Sequence, residues 1–291
     1  MKVIFSRKGL DSSFGSTSSV IFPNGTLAWL PIPETDQRKK LYSYNDLYVE
    51  DNCLGDIVEN ISQGKLLPQT TVHLDPDILP FHTKRDKEWF PIFGQTGAAE
   101  SHLRNCDVGP GDIFLFFSWF RKIDYVDGRY RYVPKTSNQH ILYGWFQIEK
   151  KEKVNSFTPP YSWMKNHSHL QGIEYNQELD TVYFPTRNLI LNGEETKLPG
   201  CGYFPEVHDQ LILTEKGEKR SVWRLPRWFY PDEDKKPLTY HRNLSRWKLN
   251  NETVILETVG RGQEFVLDTV GYPQCIPWLK SLIENYGKSS V

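Results

Sequence analysis

The stretch from Val108 to Phe120, VGPGDIFLFFSWF, sets a Pro-Gly-Asp turn directly before a strongly apolar run. After a charged insertion, Asp124 to Gln139, the chain returns as HILYGWFQIEK. Aromatic and β-branched residues crowd both runs, and neither alternates with polar residues, so both read as buried strands. Two such strands must be covered by the rest of the chain, and the 291 residues supply enough apolar material to do so. Nineteen prolines and twenty glycines punctuate what remains, which favours strands joined by structured loops over a helical bundle.

Lys2 to Ser6 is a short β-rich run that hands over to RKGLDSS, so the first strand delivers Arg7, Lys8, Asp11 and Ser12 at its C-terminal end, where open sheets hold ligands. Val20 to Phe22 and Thr26 to Ile32, joined by Pro23-Asn24-Gly25, read as a hairpin. Leu41 to Gln63 is more helical, a short helix is predicted from about Thr96, and another closes the chain from Pro277 to Tyr286. No Gly/Ser/Pro linker divides the sequence. The expectation is one compact α+β domain over 1–291, with a mixed or mainly antiparallel β-barrel-like core around 108–150, peripheral helices and long loops.

Charge excludes one function class. Lys+Arg number 35 against 36 Asp+Glu, so no global basic field draws the protein to nucleic acid, and any such contact is a local patch. Four widely spaced cysteines form no CxxC pair, which speaks for reduced thiols. The N-terminus lacks a secretory apolar region and no run has the length of a membrane span, so a cytoplasmic protein with no membrane partner is expected.

Three groups of residues can carry chemistry. Arg7, Lys8, Asp11 and Ser12 offer two cations and an acid, suited to a phosphate or carboxylate, or form a solvated loop. In Val72 to Asp77, VHLDPD, an extended chain would point His73, Asp75 and Asp77 to one side, as ligands for a divalent metal, as base and orienting acid, or as a solvated turn. A two-histidine zinc site there could be completed by His102, His167 or His169, although the HSH pair reads equally as exposed loop. In FGQTGAAESHL, Gln95 and His102 would lie two turns apart on nearly one helix face, with Gly97, Ala98 and Ala99 allowing a close backbone approach. Of the aromatics Trp119, Phe120, Trp145, Trp163, Trp223, Trp228 and Tyr230, most are expected to pack rather than stack on a base, and Arg224 and Arg227 offer further phosphate contacts. GxGxxG after a strand, a Walker loop, GxSxG, HExxH and the deaminase signature are all missing.

The Gly-Asp turn and the two strands resemble the core hairpin of PUA-like barrels of the EVE and ASCH type, which bind nucleic acids or modified bases. Over nearly the whole chain, SRKGLDSSFG, LPIPE, HLDPD, FGQTGAAESHL, GDIFLFF, LPGCGYF, WRLPRWF and QEFV together resemble the nucleotide modification associated domain 3 family of bacteria and phages. Two departures stand out: Ser118 in FFSWF where the family suggests glycine, and NHSHL in place of a His-Pro-His pattern.

That resemblance implies an enzyme of nucleotide or DNA-base modification, with a nucleotide or nucleic-acid base as partner alongside other modification or phage-defence proteins. It aligns Arg7, Lys8 and Asp11, then His73, Asp75 and Asp77, then Gln95 and His102, with the family's signatures. The roles expected are phosphate binding by Arg7 and Lys8, acid/base work by Asp11 and His73, metal holding or orientation by Asp75 and Asp77, and substrate contacts from Ser12, Gln95 and His102. A non-catalytic reader of modified bases, built on an aromatic cup, is the alternative.

Overall fold

The computed structural model describes residues 1–12, 17–36, 38–39, 41–171, 180–232 and 235–290, so residues 13–16 of the opening motif lie outside them. The architecture is α+β, and its centre is the hairpin expected from the sequence. Ile113–Val126 and Gln139–Lys153 pair antiparallel, from Gln139↔Phe120 to Gln147↔Ile113, with a register shift between Leu142 and Gly144. The first eight residues of Ile113–Val126 are all buried. Such a strand has no solvent face, which is why its sequence does not alternate.

The first strand, Lys2–Arg7, runs parallel to Ile113–Val126 on one side and antiparallel to Glu264–Asp268 on the other. At the far side of the hairpin, Gln139–Lys153 pairs with Thr181–Pro185, and that strand pairs with Phe93–Gln95. The six strands form one path inside an eleven-stranded mixed sheet that curls into a half-barrel. Its two ends meet through side chains: Gln95 Nε2, on one terminal strand, donates to Glu264 Oε1, on the other, at 2.6 Å. Rings of Phe93, Phe114, Phe116, Phe146 and Tyr183 fill the concave interior near this seam.

Ser19–Ile21 and Leu27–Ala28 form the predicted Asn-Gly hairpin. Three α-helices occur among the described residues: α1 (Leu54–Ser62), α2 (Gly97–Asn105) and α3 (Cys275–Tyr286). On α2, Arg104 Nε donates to Glu100 Oε1 at 2.9 Å, the i,i+4 pair read from the sequence. No described helix is long and apolar enough to cross a membrane. All four cysteines are free thiols.

A smaller apolar cluster stands apart from the main core. Ile92, Trp163, Met164, Leu170, Val182 and Phe184 pack together, drawing on residues that flank His167 and His169 in sequence. Trp163 and Met164 enter it from a short 3-10 turn, Ser162–Asn166, and this anchors the loop that follows.

Several local expectations change. The extended segment expected over Val72–Asp77 is a strand only at Val72–His73, because the Asp75 N–H turns back onto the His73 carbonyl at 2.9 Å. Gln95 belongs to a strand and Thr96 caps α2, so Gln95 and His102 do not share a helix face. Gly97 has open space where a side chain would go, so it serves no close approach. His167 and His169, read as equally suited to an exposed loop, are 3% and 9% exposed. Trp119, Phe120, Trp145, Trp163 and Trp223 are buried, as expected of packing aromatics, while Trp228 and Tyr230 are partly buried against the core.

Candidate active site

The C-terminal end of the first strand opens into a cleft of about 660 Å³. Arg7 lies across its edge, with Nη2 donating to the Gly262 carbonyl at 3.0 Å. Lys8 points inward: its Nζ lies 3.1 Å from Glu264 Oε1 and 4.5 Å from the centre of the Phe93 ring. Gly9 then turns the chain at φ +84°, so close over Trp29 and the Leu30 carbonyl that a Cβ would overlap both. Only glycine combines that conformation with that approach. Asp11 lies on the same rim.

The opposite wall starts from a two-stranded ladder in which Ile32 pairs with His73 and Pro33 with Val72. That register sets Glu34 beside His73, and His73 Nδ1 lies 3.0 Å from Glu34 Oε2. Lys39 ties the same carboxylate, at 3.2 Å, to the Ser168 carbonyl, at 2.8 Å. From the third side comes the buried His167–His169 loop. His169 Nδ1 lies 2.6 Å from Asp180 Oδ1, its Nε2 lies 3.8 Å from Asp75 Oδ2, and its ring meets that of His73 edge-on at 5.1 Å. His167 Nε2 faces the other oxygen of Asp75 at 3.3 Å. The Gly94 N–H donates to that same oxygen at 2.6 Å. One ligand atom from each of His73, Asp75 and His169 lies within 4.8 Å of the other two, which makes these three the group able to hold a metal ion among the described residues.

The model of nucleotide modification associated domain 3 matches residues 2–268 of the chain. The chain belongs to that family. No curated protein and no solved structure matches it, so the barrel analogy drawn from the hairpin has no structural relative behind it. In this member of the nucleotide modification associated domain 3 family, the cleft draws on motifs far apart in sequence: Arg7 to Asp11, Glu34 of LPIPE, His73 and Asp75 of HLDPD, Gln95, and Gln263 of QEFV.

Not every expected site residue arrives there. Asp77 faces another way: its carboxylate pairs with both terminal nitrogens of Arg85, the longer contact being 3.0 Å, and accepts from Trp89 Nε1 at 3.2 Å. The alternation that would have carried it into the cleft ends at the turn after His73. His102 sits on α2 with Nε2 3.0 Å from Thr239 Oγ1, outside the cleft lining. Ser12 lines a neighbouring cleft of about 840 Å³, which shares Arg7 and Asp11 with the first. Arg227 donates to the Asn250 and Asn251 carbonyls, Arg224 lies 3.7 Å from Glu215, and neither lines the cleft. Ser118, where the resemblance leads us to expect glycine, sits with Oγ 3.3 Å from Ser19 Oγ beneath the Gly9 turn.

Sequence reasoning assigned no role to Glu34, Lys39, Asp180 or Glu264. Two of them had a signal, since Glu34 ends LPIPE and Glu264 stands in QEFV. Lys39 and Asp180 carried none, because only the folded loops bring them in. Glu264 is 1% exposed and gathers three donors on one oxygen, from Ser6, Lys8 and Gln95. Gln95 spends its whole carboxamide on this seam, its oxygen accepting the Thr96 N–H at 3.1 Å.

The electrostatics keep the carboxylates charged and the imidazole of His73 neutral. Burial alone would raise the Glu34 carboxyl, but the His73 hydrogen bond, the Asp36 N–H, the charge of His73 when that ring is protonated, and the charge of Lys39 outweigh it and bring it down to about 2. Burial likewise opposes ionisation of Asp75, and the His167 contact, the charge of its histidine neighbours when they are protonated, and the charge of Lys8 lower it to about 2. Burial depresses His73 against the pull of Glu34. At neutral pH the floor therefore carries fixed acceptor oxygens beside neutral imidazole. That pairing suits proton transfer or metal binding.

Proposed function

We propose that this chain is an enzyme of nucleotide or nucleic-acid base modification that binds its substrate in the cleft between Lys8, His73 and His169. The carrying observation is the convergence of remote polar segments on one partly enclosed floor, with the charged carboxylate of Asp75 set among three histidines. Nothing in the packing of a half-barrel requires such a cluster, and a buried charge that the fold must hold with dedicated partners is a mark of functional sites. The family's association with nucleotide modification supports the choice of a nucleotide or nucleic-acid base as substrate.

In this reading Arg7, Lys8 and Lys39 meet the anionic parts of the substrate. Asp11 is an acid/base group at the rim, and His73, held by Glu34, faces the substrate as a base or, with Asp75 and His169, as a metal ligand. Asp75 is the central carboxylate, and Gln95 is a positioning residue that joins Lys8 to the opposite edge of the sheet through Glu264. The reader alternative calls for an aromatic cage, and no Phe, Tyr or Trp lines this cleft among the described residues. Base stacking is what such a reader would use.

The test is mass spectrometry of nucleosides and nucleotides from cells with the gene, without it, and with Asp75→Asn, beside binding to modified and unmodified DNA in vitro. The expected result is a nucleoside change that needs the wild-type gene and is lost in D75N while the fold persists. Unchanged nucleosides together with selective binding of modified DNA would replace the enzyme with the reader.

A further inference from the structure

We propose that His73, Asp75 and His169 hold one divalent first-row transition-metal ion on the floor of the cleft, with coordination positions left open to water and substrate. Glu34 and Asp180, as carboxylates, only accept hydrogen bonds, so the imidazole nitrogens facing them, His73 Nδ1 at 3.0 Å and His169 Nδ1 at 2.6 Å, carry the protons. Each ring is then left with Nε2 as a lone pair. For His169 that lone pair faces Asp75 Oδ2 at 3.8 Å. Two acceptors facing one another at that separation repel unless a proton or a metal cation lies between them, and 3.8 Å is too long for a direct hydrogen bond, which leaves room for the larger cation.

A metal resolves the conflict. Bonds of about 2.0–2.2 Å in a tetrahedral or octahedral shell set neighbouring ligand atoms roughly 3–3.5 Å apart, and each of the three residues already brings one ligand atom within 4.8 Å of those of the other two, so only a small contraction is needed. The surroundings resemble those of a built metal site. Both imidazoles are oriented by carboxylates, the arrangement that fixes tautomer and raises ligand basicity. Asp75 is oriented in turn: Oδ1 takes the Gly94 N–H at 2.6 Å and faces His167 Nε2 at 3.3 Å, which leaves Oδ2 for the metal. His167 has the opposite tautomer, since its Nδ1 accepts the His169 N–H at 3.4 Å. It is therefore a positioning residue rather than a ligand.

Charge points the same way. Five carboxylates and three cations line the cleft among the described residues, an excess of two negative charges that a divalent ion would balance. Two imidazoles with one carboxylate suit iron, manganese, cobalt or zinc better than magnesium or calcium, which prefer oxygen alone. The proposal rests on the reading of this cleft as an active site only for the metal's role; its existence is tested without turnover.

The experiment uses the untagged full chain, stripped with chelator and titrated with Zn²⁺, Co²⁺ and Mn²⁺, with metal content by mass spectrometry and the Co²⁺ visible spectrum as readouts. About one equivalent per chain is expected. H169A and D75N should lose it by tenfold or more, D180N and E34Q should weaken it roughly 10–100-fold, and D77N should keep it. No stoichiometric binding by the wild type, or undiminished binding in folded H169A and D75N, would overturn the proposal. A chain that alters nucleosides without metal retires the metal and keeps the enzyme; one that binds metal yet alters no nucleoside does the reverse.

Discussion

Gly94→Ala tests the geometry of the floor with one methyl group. A Cβ on Gly94 would lie 2.2 Å from His169 Cδ2, 2.4 Å from Cγ and 2.8 Å from Nε2. Ordinary carbon contacts are about 3.5–4.0 Å, so one side must give way by about 1.5 Å. The strand cannot move cheaply, because Gly94 is paired in register with Val182 and its N–H holds Asp75. The imidazole moves instead, and it leaves Asp180. Overpacking of this kind costs about 1–3 kcal/mol, and each kcal/mol lowers the Tm of a chain this size by roughly 2–4 °C. Displacement of the ring far exceeds the roughly 0.2 Å tolerance of a metal–ligand bond, so metal affinity should fall well beyond tenfold. Thermal melts and metal titration of G94A measure both effects, with Gly109→Ala, where a Cβ meets nothing within 4 Å, as control. A G94A protein with wild-type Tm and metal stoichiometry would refute the packing of His169 against this strand.

Other perturbations separate stability from the site. Asp77→Ala leaves Arg85, only 11% exposed at the side chain, without its carboxylate, and urea melts should show a loss of about 3 kcal/mol. Its metal stoichiometry should be unchanged, and a parallel loss of metal would return Asp77 to the site. Burial first, then nearby arginines, holds His82 and His140 down to about 3, against 6.5 in the unfolded chain. The unfolded state therefore binds more protons, so this stability is complete above pH 6.5 and is lost as pH falls towards 3. Two such histidines give about 2.4 kcal/mol per pH unit between pH 6 and 5. His140→Gln, which keeps an acceptor for Trp223 Nε1, should remove about half of that slope in urea melts, and an unchanged slope would show that His140 is protonated in the fold.

What could be read from the chain alone was local. The apolar runs from Ile113 and His140 form the central hairpin because burial on both faces leaves its mark in every residue of a strand. The Asn-Gly turn and the closing helix carry equally local signals. The VHLDPD reading failed at Asp77 because alternation holds only while the chain stays extended, and a single backbone hydrogen bond ends it after His73. The burial of His169 was hidden for a different reason. Its polar neighbours suggest a loop in water, whereas the ring packs against Gly94, on a strand remote in sequence. Gly94 supplied the close approach expected of Gly97, three residues away, since a glycine's purpose depends on what the fold sets against it.

The half-barrel and the cleft are one construction. Glu264 and Gln95 stand on the two terminal strands of the sheet path, and the bond between them gathers Lys8 to the seam. On the same short strand as Gln95, Gly94 holds Asp75 through its N–H and leaves room for His169. Curling of the sheet thus fixes the distance between the cationic rim and the histidine–carboxylate floor, although these lie at opposite ends of the hydrogen-bonded order. Loss of the seam charge should therefore loosen the site before it unfolds the core, because the aromatic interior from Phe93 to Phe146 packs without it. Carboxylates and histidines so placed are held by strands rather than by loops alone, and rigid support of that kind is what an active site needs to keep ligands and proton donors within tenths of an ångström.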